Sequence, residues 1–429
     1  MEFWEAKDAF RRRNPLAVLD YGAGQATNLL ELMLTVLGCG LLAGRLARVL
    51  RLPDVVLYLL LGLAVGPFGF GLVHLAGASL VSQLVLMFGS AYILFDGGRS
   101  LNLNVLRTSW RTVLLLATVG VAVSAAITGL AAARFLAIPL FPALLLGAVL
   151  APTDPAVLIP LFRQVRVGER LAQTVVAESA LNDATGSSLT FVLLGLAGGA
   201  GATVVAAGLK DFLWLAGGGI VTGVLLGALA AVLVARHWLG WLEEFFPLMS
   251  VITVLAAYLA AQAVGASGYM AAFAAGVTVG NTAGPLLPTR AIHRLRLHHF
   301  ADTLALILRM LIFVFLGAQV DLASLGGRLG ALVAVTAVLV LVARPASVVA
   351  CVLPARRERW TGREVAFLSW VRETGVMPAA LAGLLNALHV PYAGEISGAV
   401  FISILATFVL QAGSTGWVAA KLGLLADKH

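Results

Sequence analysis

The chain has 429 residues, 60% of them hydrophobic and 12% charged, with a formal net charge of +8. Soluble globules are about half apolar and about a quarter charged, so these figures exclude a soluble fold, and recurrent apolar stretches of about 18 residues or more mark an all-α polytopic membrane protein. The arginines are scattered between apolar runs rather than gathered on a polar domain, which excludes a nucleic-acid partner and makes the positive charge a topology signal.

In chain order, residues 1–26 form a polar tail. Lys7 and Arg11, Arg12 and Arg13 are offset there by Glu2, Glu5 and Asp8, and Phe3, Trp4 and Phe10 suit a membrane interface. The tail lacks the pattern of a cleaved secretory signal. Spans follow at about 27–44, 54–70, 79–97, 109–133, 142–162, 170–197, 212–235, 247–264, 268–284, 301–320, 329–353, 364–389 and 395–420, thirteen in all. The runs do not alternate as in a β-barrel. Cys39 and Cys351 lie singly inside apolar segments, so no disulfide framework or metal site is expected.

The odd-numbered loops carry most of the basic residues, from Arg45, Arg48 and Arg51 to Arg356, Arg357, Arg359 and Arg363. The even-numbered loops hold only Arg134, Lys210 and Arg328. This bias places the odd loops and the C-terminus in the cytoplasm and the N-terminus outside, with the basic tail running against the rule.

Three spans carry polar islands. In the fifth, Ala151-Pro152-Thr153-Asp154-Pro155 interrupts an apolar run. Pro152 and Pro155 have no N–H, so the carbonyls of Ala148 and Ala151 lose their helical donors, and Ala151 and Asp154 are pushed toward extended backbone. A break at Thr153-Asp154 follows, with free carbonyls beside a carboxylate. Broken backbone at that depth survives only when buried in protein or lining a cavity.

In the sixth span, Glu178, Ser179, Asn182 and Asp183 fall on one helical face. The twelfth holds Trp370-Val371-Arg372-Glu373-Thr374-Gly375-Val376-Met377-Pro378, a charge pair, a glycine and a proline within an apolar helix. If spans 1–6 and 8–13 are inverted repeats joined by span 7, the breaks in spans 5 and 12 correspond, the arrangement that marks a transporter's site.

Each intramembrane Asp, Lys or Arg costs about 2.5–3.5 kcal/mol when unpaired. Asp96, Asp154, Glu178, Asp183, Arg344 and Arg372 must therefore be paired, solvated in a cavity or neutralised. Too few cations remain to pair every carboxylate.

Ala-Pro-Thr-Asp-Pro followed by Glu-Ser-Ala-Leu-Asn-Asp resembles the NhaP-type sodium/proton antiporters, a branch of the monovalent cation/proton antiporters that includes the animal sodium/hydrogen exchangers. Span count and motif order extend the resemblance from about residue 27 to the end of the chain. It implies a thirteen-helix homodimer in the bacterial cytoplasmic (inner) membrane. Its parts would be a dimerisation domain (27–107 and 247–327), an ion-transport core (108–200 and 328–429) and a linker helix (201–246).

On this resemblance Na+ is held by the Thr153 carbonyl, Asp154, Ser179 and Asp183, with Asn182 in support. Glu178 is the structural acid paired with Arg344 of Val-Ala-Arg-Pro. Asp96, in Leu-Phe-Asp-Gly-Gly, reaches the ion through water. Arg372 and Glu373 depart from the family's Gly-Leu-Arg-Gly-type run, which leaves their role open. No resident cofactor is implied, only the transported Na+ and H+, with K+ and Li+ as alternative cargo.

The expected mechanism is competition at one carboxylate. Desolvation disfavours the charged form of Asp183, so either H+ or Na+ neutralises it, and alternating access exchanges one for the other. Asn182 stands where electrogenic relatives have a second aspartate, which implies one-for-one, electroneutral exchange. Two other classes fit less well. A sodium-coupled organic-anion symporter needs a larger midplane cavity, and a cation channel needs a repeated filter loop.

Overall fold

The computed structural model describes residues 15–50, 54–66, 69–71, 80–197, 202–235, 245–282, 291–318 and 327–426. The charged start of the tail, Arg236, and Glu243 and Glu244 lie outside these residues.

The described chain is almost wholly helical: α1 (Pro15–Leu50), α2 (Asp54–Val65), α3 (Leu80–Arg99), α4 (Trp110–Leu136), α5a (Leu140–Leu150), α5b (Pro155–Gln164), α6 (Glu169–Ala197), α7 (Ala202–Ala235), α8 (Phe246–Ala263), α9 (Gly268–Thr282), α10 (Ala291–Ala318), α11 (Leu329–Val352), α12a (Gly362–Trp370), α12b (Val376–Ala387) and α13 (Ala393–Leu422). The thirteen expected spans are all present, the fifth and twelfth as broken pairs. Among the described residues, α4, α11 and α13 in full and parts of α1, α7 and α10 are long and apolar enough to cross a membrane by length and composition. The 29-residue α6 is not among them, because Glu178 and Asp183 lie near its middle. α1 begins well before its expected start, inside the tail.

The helices pack in two groups. One joins α4, α5, α6, α11, α12 and α13, and the other joins α1, α2, α3, α8, α9 and α10, with α7 packed on α6, α8 and α9. Small residues permit the closest approaches. A Cβ on Gly223 of α7 would lie 2.2 Å from the Ala271 carbonyl oxygen of α9, and one on Gly276 of α9 would lie 2.1 Å from that of Phe95 in α3. Both distances are inside any real contact, so backbone rather than side chain forms these interfaces. Large apolar side chains such as Leu34, Leu41, Leu225 and Leu259 instead point outward.

Within the first group, α4 and α11 hold matching places in the two repeats, and each contains a π-helical turn, Leu116–Gly120 and Leu339–Ala343. Each turn packs on the other helix. The second precedes Pro345, which has no N–H to give the preceding turn.

One end of this group is tied by Glu358, between α11 and α12a. Its carboxylate accepts from the backbone N–H groups of Arg111 and Thr112 at the start of α4, at 2.9 and 3.2 Å. These are donors that a helix start leaves unsatisfied. Trp360 Nε1 donates to Thr112 Oγ1 at 2.8 Å, and the Arg170 guanidinium of α6 lies 3.9 Å over the Trp360 ring.

Candidate functional site

Residues 151–154 and 371–375 are the non-helical breaks of α5 and α12, and every residue in them is buried. The two cross. Asp154 N donates to the Glu373 carbonyl at 2.9 Å, and Asp154 Oδ2 accepts from Val376 N, the first residue of α12b, at 2.8 Å. Asp154 also precedes α5b, where its carbonyl accepts from Val157 N and Leu158 N. One carboxylate thus faces the positive ends of two half-helices, where anions are favoured.

Arg372 serves the opposite end of the first break, where α5a stops. Its Nη2 donates to the carbonyls of Leu150 and Ala151, the latter at 3.0 Å, and its Nη1 donates to Thr374 Oγ1 at 3.0 Å. A carbonyl freed by Pro155 therefore receives an arginine instead of staying open to an ion. Cations are stabilised at helix C-termini, so this buried guanidinium is balanced by the end of α5a, with no carboxylate among the described residues in salt-bridge contact. Trp370, which ends α12a, has its carbonyl met by Gln411 Nε2 of α13, and Thr374 N donates to Thr407 Oγ1 at 3.1 Å.

The four polar residues of α6 divide by partner. Glu178 forms a two-pronged ion pair with Arg344 of α11, Nη1 to Oε1 and Nη2 to Oε2, the second at 3.0 Å, while Arg344 Nε donates to the Leu368 carbonyl at 3.0 Å. Ser179 and Asn182 face the first break. Thr153 N donates to Asn182 Oδ1 (3.1 Å), Asn182 Nδ2 donates to Thr153 Oγ1 (2.8 Å), and Thr153 Oγ1 donates to Ser179 Oγ (2.8 Å). This triangle consumes the Thr153 side chain and leaves its carbonyl for other use.

Asp183 stands apart from that network. It is 7% exposed, and its Oδ1 has no hydrogen-bond partner. Asp183 and Asp154 line one cavity, together with Ser90 and Leu94 of α3, Tyr269 of α9, Pro155, and Val376, Met377 and Ala380 of α12b.

Of the residues expected at the site, Asp154 and Asp183 line this cavity, whereas Thr153, Ser179, Asn182, Asp96 and Glu373 do not. Asp96 is buried but pairs with Arg99 one turn along α3, at 2.6 Å, and does not line the cavity. The (i, i+3) spacing of that pair was readable in the sequence. Glu373 contributes its carbonyl to the crossing, whereas neither of its carboxylate oxygens has a hydrogen-bond partner. Sequence reasoning also missed Ser90, Tyr269, Thr407 and Gln411. Gln411 and Thr407 are polar positions in an apolar run, a visible signal. Ser90 and Tyr269 had none, since isolated serines and tyrosines are ordinary in membrane helices.

No group of three or more His, Cys, Asp or Glu suited to a resident metal occurs among the described residues. Residues 33–421 match the family described as "Sodium/hydrogen exchanger, transmembrane". The chain is 32% identical to Na(+)/H(+) antiporter 1 of Methanocaldococcus jannaschii, over 92% of this chain and 97% of that one. It is 30% identical to the K(+)/H(+) antiporter NhaP of Alkalimonas amylolytica, over 94% and 69% respectively. Its fold matches the solved structure of the sodium proton antiporter MjNhaP1 from M. jannaschii at pH 8, with a TM-score of 0.75 and 29% identity over 94% of this chain and all of that one. The family match, the sequence identities and the overall architecture agree, and the chain belongs to the sodium/hydrogen exchanger family of transmembrane proteins.

Proposed function

We propose that the protein is a secondary antiporter that exchanges Na+ for H+ one for one, both competing for Asp183. The observation that carries this reading is the shared cavity of Asp154 and Asp183 at the crossing, with Asp183 Oδ1 unpartnered inside the protein. A buried carboxylate without a partner favours a bound proton or a bound cation. A monovalent cation would be held by Asp154, Asp183, the Thr153 carbonyl and the Ser179 hydroxyl. Asn182, tied to Thr153 by two hydrogen bonds, shapes the break and carries no proton, which supports electroneutral exchange. Glu178 and Arg344 serve structure.

In the same reading α1–α3 and α8–α10 form the dimerisation part of a homodimer, and α4–α6 and α11–α13 form the part that carries the ion. α7 links them. The protein sits in the bacterial inner membrane, with its N-terminus outside and its C-terminus in the cytoplasm, as the loop arginines imply. Proteoliposomes containing a pH-sensitive dye and an imposed proton gradient test the assignment. Added Na+ should collapse the gradient for the parent chain and leave it standing for Asp183→Asn; an active Asp183→Asn chain refutes the assignment. A response to K+ in place of Na+ would move the cargo to K+, the ion named for the Alkalimonas relative.

A further inference from the structure

Two residues that line the cavity each carry a buried polar atom without a hydrogen-bond partner among the described residues: the Ser90 hydroxyl of α3 and Asp183 Oδ1 of α6. Ser90 is 7% exposed. Buried polar groups are nearly always satisfied, and two carried by residues that line one cavity point to a shared occupant, water or ion. Serine and threonine in membrane helices commonly donate to a carbonyl one turn back. Ser187 Oγ does so to Asp183 at 2.9 Å, and Thr190 Oγ1 does so to Gly186 at 2.8 Å. Ser90 makes no such bond. Its neighbours on α3 are also satisfied, since the Tyr92 hydroxyl meets Ser250 Oγ at 3.2 Å and Asp96 holds Arg99.

We propose that the Ser90 hydroxyl oxygen is a further ligand for the transported monovalent cation, supplied by α3 from the wall facing the two aspartates. This rests on the reading of Asp154 and Asp183 as the ion site. α3 packs mainly with α9 and α10 and, across the seam between the two helix groups, meets α5b, which follows Asp154, and α6, which carries Asp183. A ligand from across this seam is in place only while this cavity is formed, so it acts in one of the two access states. Tyr269, the second residue of α9, lines the same cavity beside the α8–α9 connection. The proposed topology puts that connection on the non-cytoplasmic side, and Ser90 therefore serves cations at that face.

Sodium-driven proton exchange in right-side-out and everted membrane vesicles tests this with Ser90→Ala, Ser90→Thr and Asp183→Asn. Ser90→Ala should raise the apparent KM for Na+ about five- to tenfold at the non-cytoplasmic face and change it less than about twofold at the cytoplasmic face, the loss of roughly one ligand contact. Ser90→Thr, which keeps the hydroxyl, should restore the parent value. An unchanged KM on both faces overturns the proposal. So does an equal rise on both faces, or a Ser90→Thr chain that behaves like Ser90→Ala. A Ser90→Ala chain that fails to fold also overturns it, because a hydroxyl without a partner in the protein adds nothing to folding. Exchange that persists in Asp183→Asn places the ion site elsewhere, whereas a silent Ser90→Ala beside an inactive Asp183→Asn removes the serine alone.

Discussion

Glu178 and Asp183 sit five residues apart on one buried helix, yet their surroundings differ. Glu178 is held by both prongs of Arg344, so both its oxygens are occupied within the protein. Asp183 Oδ1 is left open. Breaking a buried ion pair from one side strands the other charge and costs about 3–5 kcal/mol. Glu178→Gln and Arg344→Met should therefore each lower the thermal unfolding temperature of the detergent-purified protein markedly. The apparent Na+ affinity of whatever folded fraction remains should change little. The charge-swapped chain, Glu178→Arg with Arg344→Glu, should regain part of the loss; no recovery at all would argue against the pair. The helical-face pattern predicted that four polar residues share one side of α6. It did not predict which would be satisfied, because that depends on α11 and on the first break, both remote in sequence.

At the scale of elements, the two broken helices are held together by complementary ends. Asp154 faces two helix starts, and Arg372 spans the end of α5a and the turn at Thr374. The breaks themselves were legible, since proline removes donors wherever it stands. The answer to the freed carbonyls was not legible, because it comes from the other repeat. Arg372→Met should leave the carbonyls of Leu150 and Ala151 without these donors and cost about 1–3 kcal/mol for each buried unsatisfied group. Arg372→Lys should not restore the loss, since an ammonium lacks the planar fork. Unfolding midpoints of the three chains, measured under one detergent condition, check this, and parent-like stability of Arg372→Met would contradict it. The pairing of Asp96 belongs at this scale too. This acid, expected to reach the ion through water, pairs in the structure with Arg99 of its own helix.

For the whole molecule, the cavity lies at the seam between the two helix groups, walled by α5, α6 and α12 on one side and by α3 and α9 on the other. A shift of one group against the other changes which face the site meets without rebuilding its carboxylates. Hydropathy revealed the thirteen helices because lipid enforces it on every span. The grouping into two bodies lay hidden in glycine positions such as Gly223 and Gly276, which the sequence showed only as small-residue abundance. The account depends on one site never holding both ions. Isothermal titration of the purified protein with Na+, in buffers of differing ionisation enthalpy, counts the protons released per cation bound. At a pH where the site is protonated, the parent chain should release close to one proton per Na+, and Asp183→Asn should bind no Na+. Sodium binding without proton release, or equal release from Asp183→Asn, would contradict the exchange mechanism.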